Sequence, residues 1–158
     1  MSKPSKTIHS HKPQGRGRKI GIVASKFNEF ITKRLLNACL EELHQCGVKR
    51  EHVTTVFVPG SLEIPVVAMK MAKKKNIDAV ICLGAVIRGE TYHFEVVSNT
   101  SAQALAQVPL LTGKPVIFGI LTTSNEDQAY KRSEPKGTNK GREAALAALE
   151  MIDLLGHI

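Results

Sequence analysis

Residues 79–97 read AVICLGAVIRGETYHFEVV. The nine residues from Ala79 to Ile87 are apolar or small and carry no charge, which fits a strand buried on both faces of a sheet. The run stops at Arg88-Gly89-Glu90-Thr91-Tyr92-His93: a cation, a glycine, an acid, two hydroxyls and an imidazole. On a strand of a parallel sheet, that cluster lies at the C-terminal end, where α/β folds build their sites.

Outward from this stretch, short β-type runs alternate with longer helical ones from residue 19 onward. Residues 19–25 (KIGIVAS) read as a first strand. Residues 29–46 read as a helix, with Ile31, Leu35, Leu36, Cys39, Leu43 and Cys46 at helical spacing, and Gly47 stands where a helix-ending glycine belongs. A second strand is expected over residues 52–58, ending at Pro59-Gly60. A second helix follows from residue 62, with Pro65 in its first turn and Lys73-Lys74-Lys75 at its negative dipole end. A third helix is expected over residues 91–111, with Pro109 fraying or breaking its end. Residues 115–121 form a fourth strand. Thr122-Thr123-Ser124-Asn125 offer caps, with Glu126 and Asp127 at capping-box distance from Thr123 and Ser124. A short helix to residue 132 and a last one over residues 139–155 complete the chain.

Strands alternating with helices imply parallel pairing through right-handed crossovers, with helices on both faces of the sheet. The expected fold is a three-layer α/β sandwich with a four-stranded parallel sheet, in a single domain over residues 19–158. The full length of 158 residues suits one core.

The composition is that of an ordinary globular domain, 42% hydrophobic and 23% charged. No apolar stretch reaches the ~18–20 residues of a membrane helix, and the basic N-terminus is not followed by the apolar segment of a signal peptide. No membrane association and a cytoplasmic location are therefore expected. Cys39, Cys46 and Cys82 form no CxxC and lie in apolar stretches, as structural thiols do.

The net charge of +8 raises the question of nucleic acid. Residues 1–19 hold six bases and no acid, so without them the 22 bases fall to 16 against 14 acids, a net of +2. The excess belongs mostly to residues 1–18, a Pro/Gly/Ser-rich basic tail that reads as disordered. With 4% aromatics and no tryptophan there is no stacking platform for single strands, and nucleic acid is not the expected partner. His9-Ser-His11 is the one histidine pair of metal-binding appearance. No Cys/His set completes it in the sequence, so neither a metal nor a cofactor is called for.

Each expected strand ends at an unusual cluster: Phe27-Asn28, Pro59-Gly60-Ser61-Leu62-Glu63, Arg88 through His93, and Phe118-Gly119 with Thr122-Thr123. In a parallel sheet these four segments converge. Each has a plain structural explanation too. Phe27 could pack in the core, Asn28 and Ser61 could cap helices, and Glu63 suits the first turn of a helix. His93, next to a helix N-terminus that disfavours the imidazolium, suits a neutral base or proton shuttle. The Gly89-Glu90-Thr91 turn presents backbone N–H groups at a positive dipole end, an anion site. Neither GxxxxGK[ST] nor GxGxxG is present. The residues alone thus point to a small anionic, phosphorylated ligand at the sheet edge.

Taken together, the motifs resemble one family. FNxFIT at residues 27–32, VPGSLEIP at 58–65, GAVIRGETxHF at 84–94, FGxLTT at 118–123 and NKG at 139–141 are similar in order and spacing to lumazine synthase, over residues 19–156. The resemblance implies a flavodoxin-like fold and the penultimate step of riboflavin biosynthesis. In that step 5-amino-6-ribitylaminouracil condenses with 3,4-dihydroxy-2-butanone 4-phosphate, releasing phosphate and water, without metal or organic cofactor. It implies that Phe27, beside Asn28, stacks on the pyrimidine and that Glu63 binds ribityl hydroxyls, helped by the backbone of Ser61 and Leu62. It implies that Val86-Ile87 hold the polar edge of the ring, that backbone N–H groups of Glu90-Thr91 bind phosphate, and that His93 shuttles protons. Phe118, Arg132 and Lys140 would come from a neighbouring chain, with Arg132 as the phosphate's cation.

Some positions depart from the usual pattern. Leu62 stands where an aromatic is common, Glu90 puts an acid in the phosphate turn, and Lys131 and Ser133-Glu134-Pro135 flank Arg132 atypically. The resemblance also implies a homopentamer with sites between subunits, which in some members stacks to a decamer or a 60-mer and which riboflavin synthase could join. The wide apolar surface of the last helix fits burial between subunits or packing in the core. A catalytically silent flavin-binding or shell-forming relative is the alternative reading.

Overall fold

The run at Ala79–Ile87 is a strand and it is central. In a computed structural model that describes residues 4–158, the elements are β1 (Ile20–Ser25), α1 (Glu29–Gln45), β2 (Val53–Val58), α2 (Ile64–Ala72), β3 (Ala79–Ile87), α3 (His93–Thr112), β4 (Val116–Thr123), α4 (Glu126–Lys131) and α5 (Lys140–Leu155). The sheet order is β2-β1-β3-β4 and every pairing is parallel. The register aligns Ile20 with Val53 and with Ala79, and Val80 with Val116. All four strands thus start together and end along one edge.

The period of two along β1 and β3 divides the core in two. Ile20, Ile22, Ala79, Ile81 and Leu83 face α1 and α5, packing with Leu35, Cys39, Leu43, Ala145 and Leu149. Val23, Val80 and Cys82 face α2 and α3, packing with Ile64, Ala68, Leu105 and Val108. This two-sided burial is why β3 is apolar at every position. Each buried Ile, Leu or Val contributes about 1.5–3 kcal/mol by leaving water. Cys39 and Cys82 are ordinary members of these clusters, and burial pushes both thiols up to about 12.

The local expectations that shift do so for identifiable reasons. Helix α2 begins at Ile64, because Ser61–Glu63 forms a 3-10 turn first. The α4 cap is Asn125 rather than Thr123 or Ser124: Asn125 Oδ1 accepts the Gln128 N–H at 2.9 Å, and Gln128 Oε1 accepts the Ser124 N–H at 2.9 Å. Thr123 is still in β4 and its hydroxyl donates to the Asn125 carbonyl. Pro109 does not break α3, which runs on to Thr112. Its missing N–H falls in the last turns, where the Thr112 hydroxyl donates to the Val108 carbonyl and Gly113 N–H to that of Pro109. Of the apolar surface of α5, Ala144, Leu149 and Ile152 are core, while Leu146, Ala147 and Leu154 are half-buried.

The basic N-terminal segment makes contacts that its composition does not disclose. Gly15 N–H donates to the Cys46 carbonyl, and Ser10 and His11 reach Glu150 and Asp153 of α5. Among the described residues no helix is long and apolar enough to cross a membrane.

Candidate active site

The sheet ladder continues past the strands and sets the site. Lys26 and Phe27 donate their N–H groups to the Val58 and Pro59 carbonyls, and Arg88 N–H donates to that of Thr123. The first two bonds hold the loop after β1 against that after β2, the third extends β3 along β4, and the loops after β1, β2 and β3 lie at one edge of the sheet. They enclose a cleft of about 540 Å³ lined by Phe27, Asn28, Ser61, Leu62 and Glu63, by Val86, Ile87, Gly89, Thr91 and His93, and by the apolar Phe94 and Val97.

Within it, Phe27 is 72% exposed. Core packing therefore does not account for that aromatic, whose ring is free to stack on a ligand. Asn28 occupies the N-cap position of α1, yet its side chain makes no cap bond. Its amide instead donates to the Ala85 carbonyl at 2.8 Å, so the capping explanation fails for it. Ser61 is buried under the cleft, beside the buried and unpartnered hydroxyl of Ser25. Gly84 makes room for both, since a Cβ there would come within 2.6 Å of Ser25 Oγ and 3.2 Å of Ser61 Oγ. Glu63 is exposed, with Oε2 held by the Gly60 N–H at 2.9 Å. One carboxylate oxygen is thus anchored at the mouth of the cleft.

The residues of the turn before α3, Arg88 through His93, are all exposed. Thr91 Oγ1 accepts the His93 N–H at 3.4 Å, and Tyr92 occupies the N-cap position. Gly89, Thr91 and His93 line the cleft, whereas Glu90 is exposed and outside its lining. His93 is exposed as well, so it is open to solvent unless something covers it.

Phe118, Arg132 and Lys140 are not in this cleft. They line a second hollow of about 430 Å³, together with Thr122, Glu143 and Ala147. A small device brings Arg132 and Lys140 together: Ser133 and Asn139 form an antiparallel bridge, and Lys140 N–H donates to the Arg132 carbonyl. Asn139 caps α5 through Gly141 N–H at 2.8 Å. Phe118 is 43% exposed on the edge strand β4. The sequence-predicted residues therefore fall into two separate groups on one chain. A third hollow, lined from α1 and β2 by Leu40, His44, Val53 and Thr55 among others, holds none of them.

A match to the family model described as 6,7-dimethyl-8-ribityllumazine synthase spans residues 17–156. The chain belongs to the lumazine synthase family. The parallel α/β sandwich is this family's fold, and a transferase role in riboflavin biosynthesis follows. One feature of this lumazine synthase family member was not legible in the sequence. Arg88 lies over the Phe94 ring at 4.3 Å and pairs with Glu95, whose carboxyl it holds below the usual range. The Arg88-to-Glu95 spacing is visible in the sequence, but its meaning depends on the turn that folds β3 back into α3.

Proposed function

We propose that the chain is 6,7-dimethyl-8-ribityllumazine synthase, condensing 5-amino-6-ribitylaminouracil with 3,4-dihydroxy-2-butanone 4-phosphate at sites shared between copies. The observation that carries this reading is the separation of the two half-sites. The pyrimidine and ribityl side has Phe27 and Glu63, and the cationic side has Arg132 and Lys140. A symmetric ring of copies unites one with the other through a heterologous interface. A cytoplasmic homopentamer is the assembly proposed, with higher stacking and riboflavin synthase docking left to the outside of the ring.

In this reading Phe27 of one copy and Phe118 of its neighbour flank the pyrimidine, and Asn28, Val86 and Ile87 present the wall that its polar edge meets. Glu63 takes ribityl hydroxyls beside Ser61 and Leu62. The backbone at Glu90-Thr91 and the Arg132 guanidinium hold the phosphate, which suits a helix N-terminus with a cation opposite. The 5-amino group adds to the ketone and water leaves as the imine forms. Phosphate is then eliminated, and the second amine closes the ring with loss of another water. His93 carries protons in the dehydration and elimination steps. Holding both reactants in register supplies much of the acceleration.

The test is to mix the purified chain with both substrates and follow lumazine formation by absorbance against the uncatalysed background. A rate well above background that falls in Arg132→Ala supports the enzyme and its phosphate contact. A folded assembly with no excess over background overturns the catalytic reading in favour of a binding or shell-forming relative.

A further inference from the structure

We infer that His11, Asp153 and His157 form a site for a divalent transition-metal ion of the zinc or cobalt type, fastening the N-terminal segment to the end of α5. Their ligand atoms lie within 4.8 Å of one another, and none of the three lines the cleft or the hollow described above. His11 Nδ1 is 3.2 Å from Asp153 Oδ2. Two ligands of a tetrahedral ion at ~2.0–2.1 Å stand about 3.3 Å apart, so this pair is already at coordination spacing. The sequence offers only His9-Ser-His11; the fold supplies the carboxylate and the second imidazole from 142 residues away or more.

Three further features distinguish this cluster from a chance meeting of charges. The His157 Nδ1 faces the Asp153 carbonyl oxygen at 2.7 Å. A donated N–H there leaves the lone pair on Nε2, the arrangement that orients metal-ligating histidines. The Asp153 carboxylate is oriented in its turn, because the His11 backbone N–H donates to Oδ2 at 2.8 Å. A cation at this place also meets the negative end of the α5 dipole, beyond Leu155. Two imidazoles and one carboxylate suit Zn²⁺ or Co²⁺ and leave a position for water. The His11 and His157 rings, 5.0 Å apart and tilted by 48°, are exposed enough to close on an ion.

The experiment titrates the metal-stripped full-length chain with Co²⁺, reading its visible absorption, and then displaces it with Zn²⁺. One Co²⁺ per chain, displaced by Zn²⁺, is expected. His11→Ala and His157→Ala should each weaken binding roughly tenfold or more, whereas His44→Ala and His52→Ala should bind as the parent does. Zn²⁺ should also slow tryptic cleavage after Lys6 and Arg16, the exposed sites on either side of His11, in the parent and not in His157→Ala. The proposal is overturned by binding that does not saturate at one ion per chain. It is equally overturned if His9→Ala abolishes binding while His157→Ala does not, which would put the ion on the tail alone. Lumazine formation by His11→Ala and His157→Ala at the parent's rate checks that both variants are folded.

Discussion

The side-chain amide of Asn28 donates to the Ala85 carbonyl across 2.8 Å and ties the start of α1 to the end of β3. Asn28 does this from a left-handed backbone, φ 55°, the only positive φ outside glycine among the described residues. Asparagine tolerates that region better than other side chains. The same residue follows Phe27 and borders the cleft, so one side chain fixes both the entry to α1 and the floor of the site.

Asn28→Gly should therefore cost about 1 kcal/mol, the worth of the lost hydrogen bond. Asn28→Ala loses the bond and also forces a Cβ into the left-handed region, for a total of about 2–3 kcal/mol. Urea unfolding of the two variants checks the order. Equal stability of the two would mean that the backbone relaxes out of the left-handed region.

Gly141 lies where α5 comes close against the backbone of α1. A Cβ there would stand 2.0 Å from the Leu35 carbonyl oxygen, and neither atom belongs to a flexible side chain. Gly141→Ala should cost about 3 kcal/mol or more by prising the helices apart, read as a lowered thermal midpoint. Because Lys140 is the adjacent residue and belongs to the proposed pyrimidine and ribityl contacts, the affinity for the pyrimidine substrate should fall at the same time.

Sites shared between copies predict complementation. Glu63→Ala spoils the cleft and Arg132→Ala spoils the hollow, and each variant alone should turn over slowly. Co-assembled in equal amounts, about a quarter of the sites should combine an intact cleft with an intact hollow. Steady-state assay of the unfolded-and-refolded mixture measures this. Activity no greater than the mean of the two variants would place each site within one chain.

His93→Asn should lower kcat by about ten- to a hundredfold, at or below the bottom of the general acid–base range. The side chain is exposed, so water can replace part of its proton transfer. Substrate KM should change little, because the backbone N–H groups proposed to hold the phosphate remain. Single-turnover kinetics separates the two effects.

The Arg88–Glu95 pair gives a pH dependence with a definite sign. The Arg88 hydrogen bond holds the Glu95 carboxyl below its ordinary value of 4.5. A depressed folded value stabilises above the unfolded one and is lost as pH falls through the folded one. The contribution should thus be complete at neutral pH and disappear below 4.5. NMR titration of the Glu95 side chain should show the low midpoint in the parent and its return towards 4.5 in Arg88→Ala.

The sheet was legible because burial leaves a chemical trace. Residues 79–87 had to be apolar throughout to lie between two helical layers, and β3 occupies those residues. Turn and cap positions were less legible, since several neighbouring polar residues could each serve. Thr123, Ser124 and Asn125 all offered a cap for α4, and the strand's last hydrogen bonds took Thr123 out of contention. Pro109 misled because a proline's cost depends on how much helix follows it, which is a property of α3 as a whole.

By itself the sequence determined the layered α/β architecture, the order of its elements and the residue types gathered at the strand ends. Those follow from periodicity and from local backbone chemistry, which act over a few residues. Only the tertiary structure decided that Phe27 is open to solvent, that Asn28 reaches Ala85, and that Arg132 and Lys140 stand apart from His93. It alone brought His11 to Asp153 and His157. Such relationships join residues distant in the chain, and their geometry is set by how helices seat on the sheet rather than by any neighbour in sequence.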